Sequence, residues 1–580
     1  MKIEDRILEL EWLRRDIIGR NMPFETCFGS KPLVYADYTA SGRALYSIEN
    51  YLTTLLQCYA NTHTEDDFTG KTMTTLLHEA EHEIKRCVNA GASGKIIFNG
   101  TGATGGITKL QQIIGVYWPP ATKKRINDYL KEPLINADAR KKKCHTAFLK
   151  SIDKKLPLVF VGPYEHHSNE IMWRQTFCEV IEIPLDAEGY IDLDALERTI
   201  SDPQYADREK IGSFSAASNV SGVRTPVYDV ARILHKHGAI ACFDFAACAP
   251  YVEIDMNRDD ESYFDAIYLS PHKFIGGPGS AGILVFNEHI YKRYLPPTVA
   301  AGGTVDFVTV DREKYCEDIE TREKPGTPGI IQAIKVALVF QLKEKVGLDT
   351  IDEIEHYYLQ KFYDHYRDNP AVQLYGPLDP DKKVTIIPFN IKHKDRVFHP
   401  KFITALLNDL FGIQTRAGCS CAGPYGHKLL HISKEISRYY QCVIGVDKYS
   451  GVKPGWVRLN LHYSLSEDEF RYIIKAVDFV IEHAEKFLSC YQFDFQSGDW
   501  HCKDFTNVMP VNLTIDAVLN TPVFTHNEKN DGAELFAKAL EKANELVSDL
   551  SIPEEYAHFD EPLEGLMTFY VLHFINKVKK

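Results

Sequence analysis

Lys273 stands in "LSPHKFIGG", directly after the apolar run "FDAIYLS". A lysine at the end of a buried strand ordinarily carries its ammonium out to water along its own stem. Held away from water instead, its pKa falls, and the free amine becomes a nucleophile able to form a Schiff base. Three other groups bear on which reading applies. Asp244 ends the apolar run "AIACFDF", where a carboxylate is costly unless a cation or a helix start answers it. Glu165, His166 and His167 follow "LPLVFVG"; a histidine there serves the structure or stacks on an aromatic ring. In "IIFNGTGATGGITKL" a strand ends near Gly100 and a helix starts near Ala103, so backbone N–H groups are placed to bind phosphate. That turn is neither a GxGxxG nor a Walker loop, which argues against dinucleotides and nucleoside triphosphates.

The elements that must position these groups are alternating ones. From about residue 94 to 290 the runs "KIIFN", "LPLVFVG", "EVIEIPL", "KIGSFSA", "AIACFDF", "DAIYLS" and "AGILVF" alternate with helical stretches. That rhythm predicts an α/β fold with a mainly parallel, seven-stranded sheet flanked by helices. Open sheets of this kind bind ligands at the carboxyl ends of their strands. A phosphate cradle, a ring partner, an acid and a lysine collected there match pyridoxal 5'-phosphate, whose ring nitrogen a carboxylate keeps protonated.

Around this core, residues 5–19 read as an amphipathic helix, and the Lys-rich stretch 119–156 as a surface insertion. "KPGTPGIIQAIKVALVFQLKEKVG" starts a long helix after a Pro/Gly turn. The division expected is an N-terminal segment (1–60) contributing to a smaller α/β domain, a large cofactor-binding domain (61–330), the small domain itself (331–485) and a helical extension (486–580). "AELFAKALEKANELVSDL" is the clearest helix of that extension.

The chain has 580 residues, 44% hydrophobic and 25% charged, with a formal charge of −14. These values fit a globular protein and argue against a nucleic-acid coat. The charged N-terminus lacks an apolar signal core, and no apolar run approaches the roughly 20 residues that span a bilayer. Thirteen scattered cysteines suggest a reducing, cytoplasmic setting.

The motifs together resemble the class V aminotransferase family of fold-type I pyridoxal-phosphate enzymes, over roughly residues 30–485. That group includes cysteine desulfurases, molybdenum cofactor sulfurases, kynureninase and isopenicillin N epimerase. The resemblance implies that Lys273 is the Schiff-base lysine, that Asp244 pairs with the pyridinium nitrogen and that His166 stacks on the ring. It places Asn219 near the phenolic oxygen, Ala103 and Thr104 on the phosphate, and Ser270 and His272 beside it. Gly326 and Thr327 in "KPGTPG" resemble the segment that reaches the phosphate of a neighbouring subunit, which implies a homodimer with shared active sites. "VYADYTASGRALY" resembles the segment that closes over the substrate, and Arg458 in "GWVRLNLHYS" matches the arginine that holds its carboxylate, an anion suited to a bidentate guanidinium.

"TRAGCSCAGPYGHKLL" bears on the reaction. Cys419 and Cys421 are either packing residues or chemistry; a metal needs more ligands, and no second pair stands at zinc spacing. By resemblance to the R-x-G-x-x-C segment of desulfurases, Cys421 attacks substrate sulfur and Arg416 flanks it. Cys421 would then take sulfur from cysteine as a persulfide and leave alanine, with a protein sulfur acceptor that the sequence does not identify. Ala247, three residues after Asp244, and the G-C-x-C pattern resemble molybdenum cofactor sulfurases. Two alternatives stay open: a class V aminotransferase, lyase or epimerase acting on another amino acid, with Cys421 incidental, and a catalytically silent binding scaffold.

Overall fold

The computed structural model describes residues 2–62, 65–131, 155–503, 505–506, 513–521, 532–560 and 563–575. The chain divides into two compact units, one of Ser41–Ala44 and Ile48–Leu348, the other of Met1–Ala40, Leu45–Ser47 and Asp349–Lys580.

The first unit is built on a seven-stranded sheet. Its strands are β1 (Gly94–Phe98), β2 (Leu158–Val161), β3 (Glu179–Glu182), β4 (Lys210–Ser215), β5 (Ile240–Asp244), β6 (Ala266–Leu269) and β7 (Ile283–Asn287). The order across the sheet is β1-β7-β6-β5-β4-β2-β3. Neighbours from β6 to β3 pair in parallel, whereas β7 is antiparallel to both β1 and β6. Six strands therefore point one way and β7 alone points back. The central strands are buried along their length, because helices cover both faces of such a sheet and leave no solvated side. The helices include α1 (Phe68–Cys87), α2 (Ala103–Ile113), α3 (Val227–Lys236) and α4 (Ile330–Val346). Asp67 caps α1 by accepting from Gly70 N–H. Of the insertion expected at 119–156, Pro120–Lys131 is helical, and residues 132–154 lie outside the described residues.

The second unit has an antiparallel sheet of β8 (Val372–Leu374), β9 (Ile386–His393), β10 (Arg416–Gly418) and β11 (Trp456–Asn460), ordered β8-β9-β11-β10. It also holds α5 (Leu348–Tyr366), α6 (Pro400–Phe411) and α7 (Glu467–Phe487), the last started by a capping box of Ser466 and Glu469. The amphipathic pattern at 5–19 forms two short helices, Ile3–Glu9 and Glu11–Asp16, broken at Leu10. The break lets Arg14 turn inward, where it donates to Ser464 O and Leu465 O at 3.0 Å each.

The C-terminal extension contains the expected helix, α8 (Gly532–Ser548). It also contains strands: β12 (Tyr491–Asp494), β13 (Trp500–Cys502) and β14 (Phe574–Ile575), with β12 at the centre, antiparallel to β13 and parallel to β14. These runs are too short for their alternation to stand out in sequence, and β14 finds its place through a partner some eighty residues away. Among the described residues no helix is long and apolar enough to cross a membrane.

Candidate active site

The carboxyl ends of the parallel strands carry most of the residues singled out above. At the end of β1 the chain turns through Gly100, in the left-handed region at φ 63°, and enters α2. The first N–H of that helix, on Ala103, donates to Ser270 Oγ at 2.9 Å. Ser270 follows β6 and opens the single turn Pro271–Lys273, which presents His272 and Lys273. Gly102 lies between these elements. A Cβ built on it would stand 3.0 Å from Ser270 Oγ and 3.6 Å from His272 Nε2, so its missing side chain keeps open a concavity lined by a hydroxyl, an imidazole and a helix N-terminus. Burial and the neighbouring Lys273 charge pull the His272 imidazole down to about 4, so it is neutral at physiological pH.

Thr104, the second residue of α2, shares a hydrogen bond with Ser168 Oγ at 2.8 Å. Ser168 ties this corner to the loop after β2: its backbone N–H donates to His166 Nδ1 at 3.1 Å, and its hydroxyl lies 3.2 Å from the same nitrogen. Because Nδ1 accepts a backbone N–H, the proton of the neutral ring is assigned to Nε2. Ser168 is a site residue that sequence reasoning missed. The signal was present in "EHHSN", where a serine two residues after a histidine suits a capped turn.

Two buried carboxylates lie beneath. Glu165 accepts from Gly162 N–H (3.0 Å), Ser215 N–H (2.8 Å), Ser215 Oγ–H (2.6 Å) and Asn169 Nδ2–H (2.7 Å). Burial pushes it up to about 7, against the pull of these donors. Asp244 ends β5 and accepts from Ala246 N–H at 2.9 Å. Burial raises its pKa, while that N–H and the charge of Lys273 act to lower it. Asn219 is buried in the turn closed by Gly222 N–H and Ser218 O at 3.0 Å. Gly326 and Thr327 are exposed in the loop that precedes α4.

The remaining candidates belong to the other unit. Arg458 is buried on β11, and its Nη2 pairs with Asp37 Oδ1 at 2.6 Å. Burial lowers the Arg458 pKa and Asp37 opposes that; Arg416, directly across the β10–β11 pair, lowers it further. Two guanidinium groups facing each other across strands repel unless anions lie between them, and Asp37 supplies one such charge. Asp37 was missed at sequence level, although its segment was expected to close over a substrate. Gly418 ends β10 at φ 115°, after which Ser420 and Cys421 occupy the left-handed region at φ 53° and 57°. Two consecutive non-glycine residues there are strained, of order 1–2 kcal/mol each. Cys421 is exposed and Cys419 half-buried, with Ala422 N–H closing the turn onto Cys419 O at 3.2 Å.

The donor set around Gly102 suits a phosphate: backbone N–H groups of a helix start, hydroxyls and a neutral imidazole, with room a side chain would fill. A buried carboxylate that a cation would steady, with a lysine close by, suits a protonated ring nitrogen and an aldehyde.

Comparison with known proteins agrees. Residues 147–440 match the family model for aminotransferase class-V. A probable cysteine desulfurase of Halalkalibacterium halodurans is 28% identical over 398 residues, covering 68% of this chain and 85% of that protein. A probable cysteine desulfurase of Staphylococcus aureus is 26% identical over 68% of this chain and 84% of its own length. Among solved structures, an apo cysteine desulfurase from Thermococcus onnurineus superposes with a TM-score of 0.61 at 22% identity, over 83% of this chain and 99% of that one. Cysteine desulfurase CsdA from Escherichia coli, in an S-sulfonic acid form, gives 0.56 at 18% identity over 77% and 94%. The structural likenesses carry the fold, and the family match spans half the chain: this protein belongs to the class V aminotransferase family of pyridoxal-phosphate-dependent enzymes.

Proposed function

We propose that this enzyme is a cysteine desulfurase, converting cysteine to alanine and retaining the sulfur as a persulfide on Cys421. The observation that carries the reading is the Cys421 thiol itself: exposed, and held on a strained turn three residues beyond the end of the Arg416 strand at Gly418. A thiol kept only for packing needs neither the exposure nor the strain. The relatives named probable cysteine desulfurases support the same reaction.

In this reading Ala103, Thr104, Ser270 and His272 hold the cofactor phosphate, Lys273 anchors its aldehyde carbon, Asn219 lies by its phenolic oxygen, and Asp244 keeps its ring nitrogen protonated. Pyridoxal phosphate, when bound, supplies a sink for the electron pair left on the substrate α-carbon. The chain supplies the rest. The Lys273 amine is the base and acid that moves protons at the substrate. His166, oriented by Ser168, holds its proton on Nε2 and covers the ring. Arg458, aided by Arg416, binds the substrate carboxylate. Cys421 Sγ bonds to the substrate sulfur as the bond from that sulfur to carbon breaks, so one cysteine gives one alanine and one persulfide. The persulfide passes to a protein sulfur acceptor. The exposed Gly326–Thr327 loop supports a homodimer in which each subunit completes its partner's phosphate site, and the free thiols among the described residues support a reducing, cytoplasmic setting.

The deciding experiment incubates purified enzyme with cysteine and reductant, measuring sulfide and alanine together. Equimolar products are expected, with sulfide release lost in Cys421→Ala and visible cofactor absorbance lost in Lys273→Ala. Alanine-free turnover of another amino acid, unaffected by Cys421→Ala, would favour an aminotransferase or lyase and sink the proposal.

A further inference from the structure

The neighbouring strands β10 and β11 are joined by a long excursion, residues 419–455, where a tight turn would have sufficed. It opens on the Cys421 turn and passes through two helices, Gly423–Leu429 and Lys434–Gly445. Ser433 caps the second by accepting from Ile436 N–H at 3.2 Å. That helix is apolar on more than its core side. Tyr440 and Val443 are buried, and Tyr440 Oη–H donates to Leu566 O at 3.1 Å, which anchors the helix to the C-terminal extension. Ile436, Tyr439 and Val446, just past its end, are instead 44%, 58% and 72% exposed. With the exposed Cys442 they recur every three or four residues and so form one row. An apolar row on a helix is ordinarily covered, and one rimmed by charge marks a binding face. The rim here is basic. The excursion carries Lys428, Lys434, Arg438, Lys448 and Lys453 against Glu435 and Asp447, a local charge of +3 in a chain whose formal charge is −14. All five cations are exposed, and Lys434, Arg438 and Lys453 form no ion pair among the described residues.

We propose, resting on the desulfurase reading, that this face docks the protein that receives the persulfide sulfur, and that the partner presents a thiol beside an apolar patch with an acidic rim. Charge fixes the class of occupant: unpaired cations on an otherwise acidic chain steer and hold a negatively charged partner. A second copy of this chain fits poorly, because a two-fold contact through this face sets the basic rim against itself. Position fixes the role, since the excursion that bears the face begins with Cys421. In the transfer the partner's thiolate attacks the outer sulfur of the Cys421 persulfide. The bond between the two sulfurs breaks, and Cys421 leaves as a thiolate that takes up the proton the partner's thiol released. One sulfur changes carrier with no net oxidation, so neither an oxidant nor a reductant is consumed.

The test gives the full-length holoenzyme cysteine and one of three acceptors: dithiothreitol, or a synthetic peptide with a single cysteine and a leucine pair, flanked either by Asp and Glu or by Lys. Sulfide released to dithiothreitol, a small neutral acceptor, reports the desulfurase reaction alone. Peptide persulfide, alkylated and quantified by mass spectrometry, reports docking. The acidic peptide should be sulfurated at least about tenfold faster than the basic one at low ionic strength, the lower end of what electrostatic steering gives. The advantage should collapse at high salt and in the double variant Lys434→Glu, Arg438→Glu, whose dithiothreitol rate and melting temperature stay at wild type. Tyr439→Ser should raise KM for the acidic peptide several-fold and leave kcat unchanged. A normal dithiothreitol rate with both peptides sulfurated equally, or with charge reversal having no effect, would overturn the docking face and leave the desulfurase reading standing. A change of oligomeric state in the double variant would assign the face to a second copy and overturn it too. No sulfide with dithiothreitol would sink the desulfurase reading and this partner with it.

Discussion

Gly102→Ala separates the proposed phosphate cradle from the fold that carries it. The backbone at Gly102 is extended, φ −168° and ψ −175°, which alanine adopts without strain. The new methyl would meet Ser270 Oγ at 3.0 Å and the His272 ring at 3.6–3.7 Å. Ser270 must give by a few tenths of an ångström, which weakens its bond with Ala103 N–H, and the methyl occupies space a phosphate oxygen would use. One disturbed charge-assisted hydrogen bond is worth about 2–3 kcal/mol, or about 30- to 150-fold in affinity. Titrating pyridoxal phosphate into the apoenzyme, followed by absorbance, should show the dissociation constant rising by that factor. The apoenzyme melting temperature should stay within about 2 °C of wild type, as a substitution without strain or cavity implies. Gly282→Ala is the contrast: its Cβ would fall 2.3 Å from Gly102 N, a backbone atom, so it should destabilise the apoenzyme itself. Cofactor affinity unchanged in Gly102→Ala would refute the assignment of this concavity to phosphate.

Arg458→Lys should lower kcat/KM for cysteine by about 10²-fold, since an ammonium cannot serve Asp37 and a substrate carboxylate together, with cofactor absorbance unchanged. Ser420→Gly should leave stability within about 1 kcal/mol, because relief of left-handed strain is offset by unfolded-state freedom, yet slow sulfide release as the Cys421 thiol loses its fixed position; unaltered turnover would count against the strain argument. Asp265 Oδ2 hydrogen-bonds His235 Nε2 at 3.0 Å, and its Oδ1 lies 2.9 Å from His289 Nε2 as an ion-pair contact. Burial pulls His235 down but its bonds to Asp265 and Glu261 O outweigh it, contact with the Asp265 carboxylate raises His289, and burial pushes Asp265 up but both rings outweigh it and lower it. Raised histidines stabilise fully below their unfolded pKa of about 6.5 and stop doing so as pH climbs through the folded values. The lowered aspartate contributes above its unfolded pKa of about 4 and fails as pH falls through its folded value. Melting temperature should therefore fall less between pH 6 and 8, by about 1–2 °C, in His289→Ala than in wild type, a small effect because that ring is half-exposed.

Most of the large sheet was legible because its strands are buried on both faces and read as continuous apolar runs; each run quoted from residues 94 to 290 overlaps one of the seven strands. The turn–helix at Gly100–Ala103 was legible for a local reason, since strand, turn and helix start are contiguous. What escaped was set by contacts distant in sequence. Asp37 is unremarkable in "VYADYTASG" until β11 brings Arg458 to it, and "YQFD" becomes a strand only when Trp500–Cys502 and Phe574–Ile575 pair with it. The single helix expected at 5–19 breaks because Arg14 finds carbonyls near residue 465, a tertiary demand that overrides local periodicity.

Glu165 and Asp244 show why residue type and depth are insufficient to find a site. Both are carboxylates at strand ends, both are almost wholly buried, and burial raises both. Glu165 is answered by two backbone N–H groups, a hydroxyl and an amide, which fasten the ends of β2 and β4 to one another. Its charge is spread over donors that the fold supplies in full, and nothing further is required of it. The Asp244 carboxylate has its bond from Ala246 N–H and the field of Lys273. Hydrogen bonds to dipoles repay part of a buried charge, and a cation repays more. A fold that can furnish four donors to one carboxylate and furnishes so much less to its neighbour has left the second one for a positively charged partner. The protonated ring nitrogen of the family's cofactor would be such a partner under the proposed assignment, and on this argument Asp244→Asn should cost cofactor-dependent turnover far more than it costs folding.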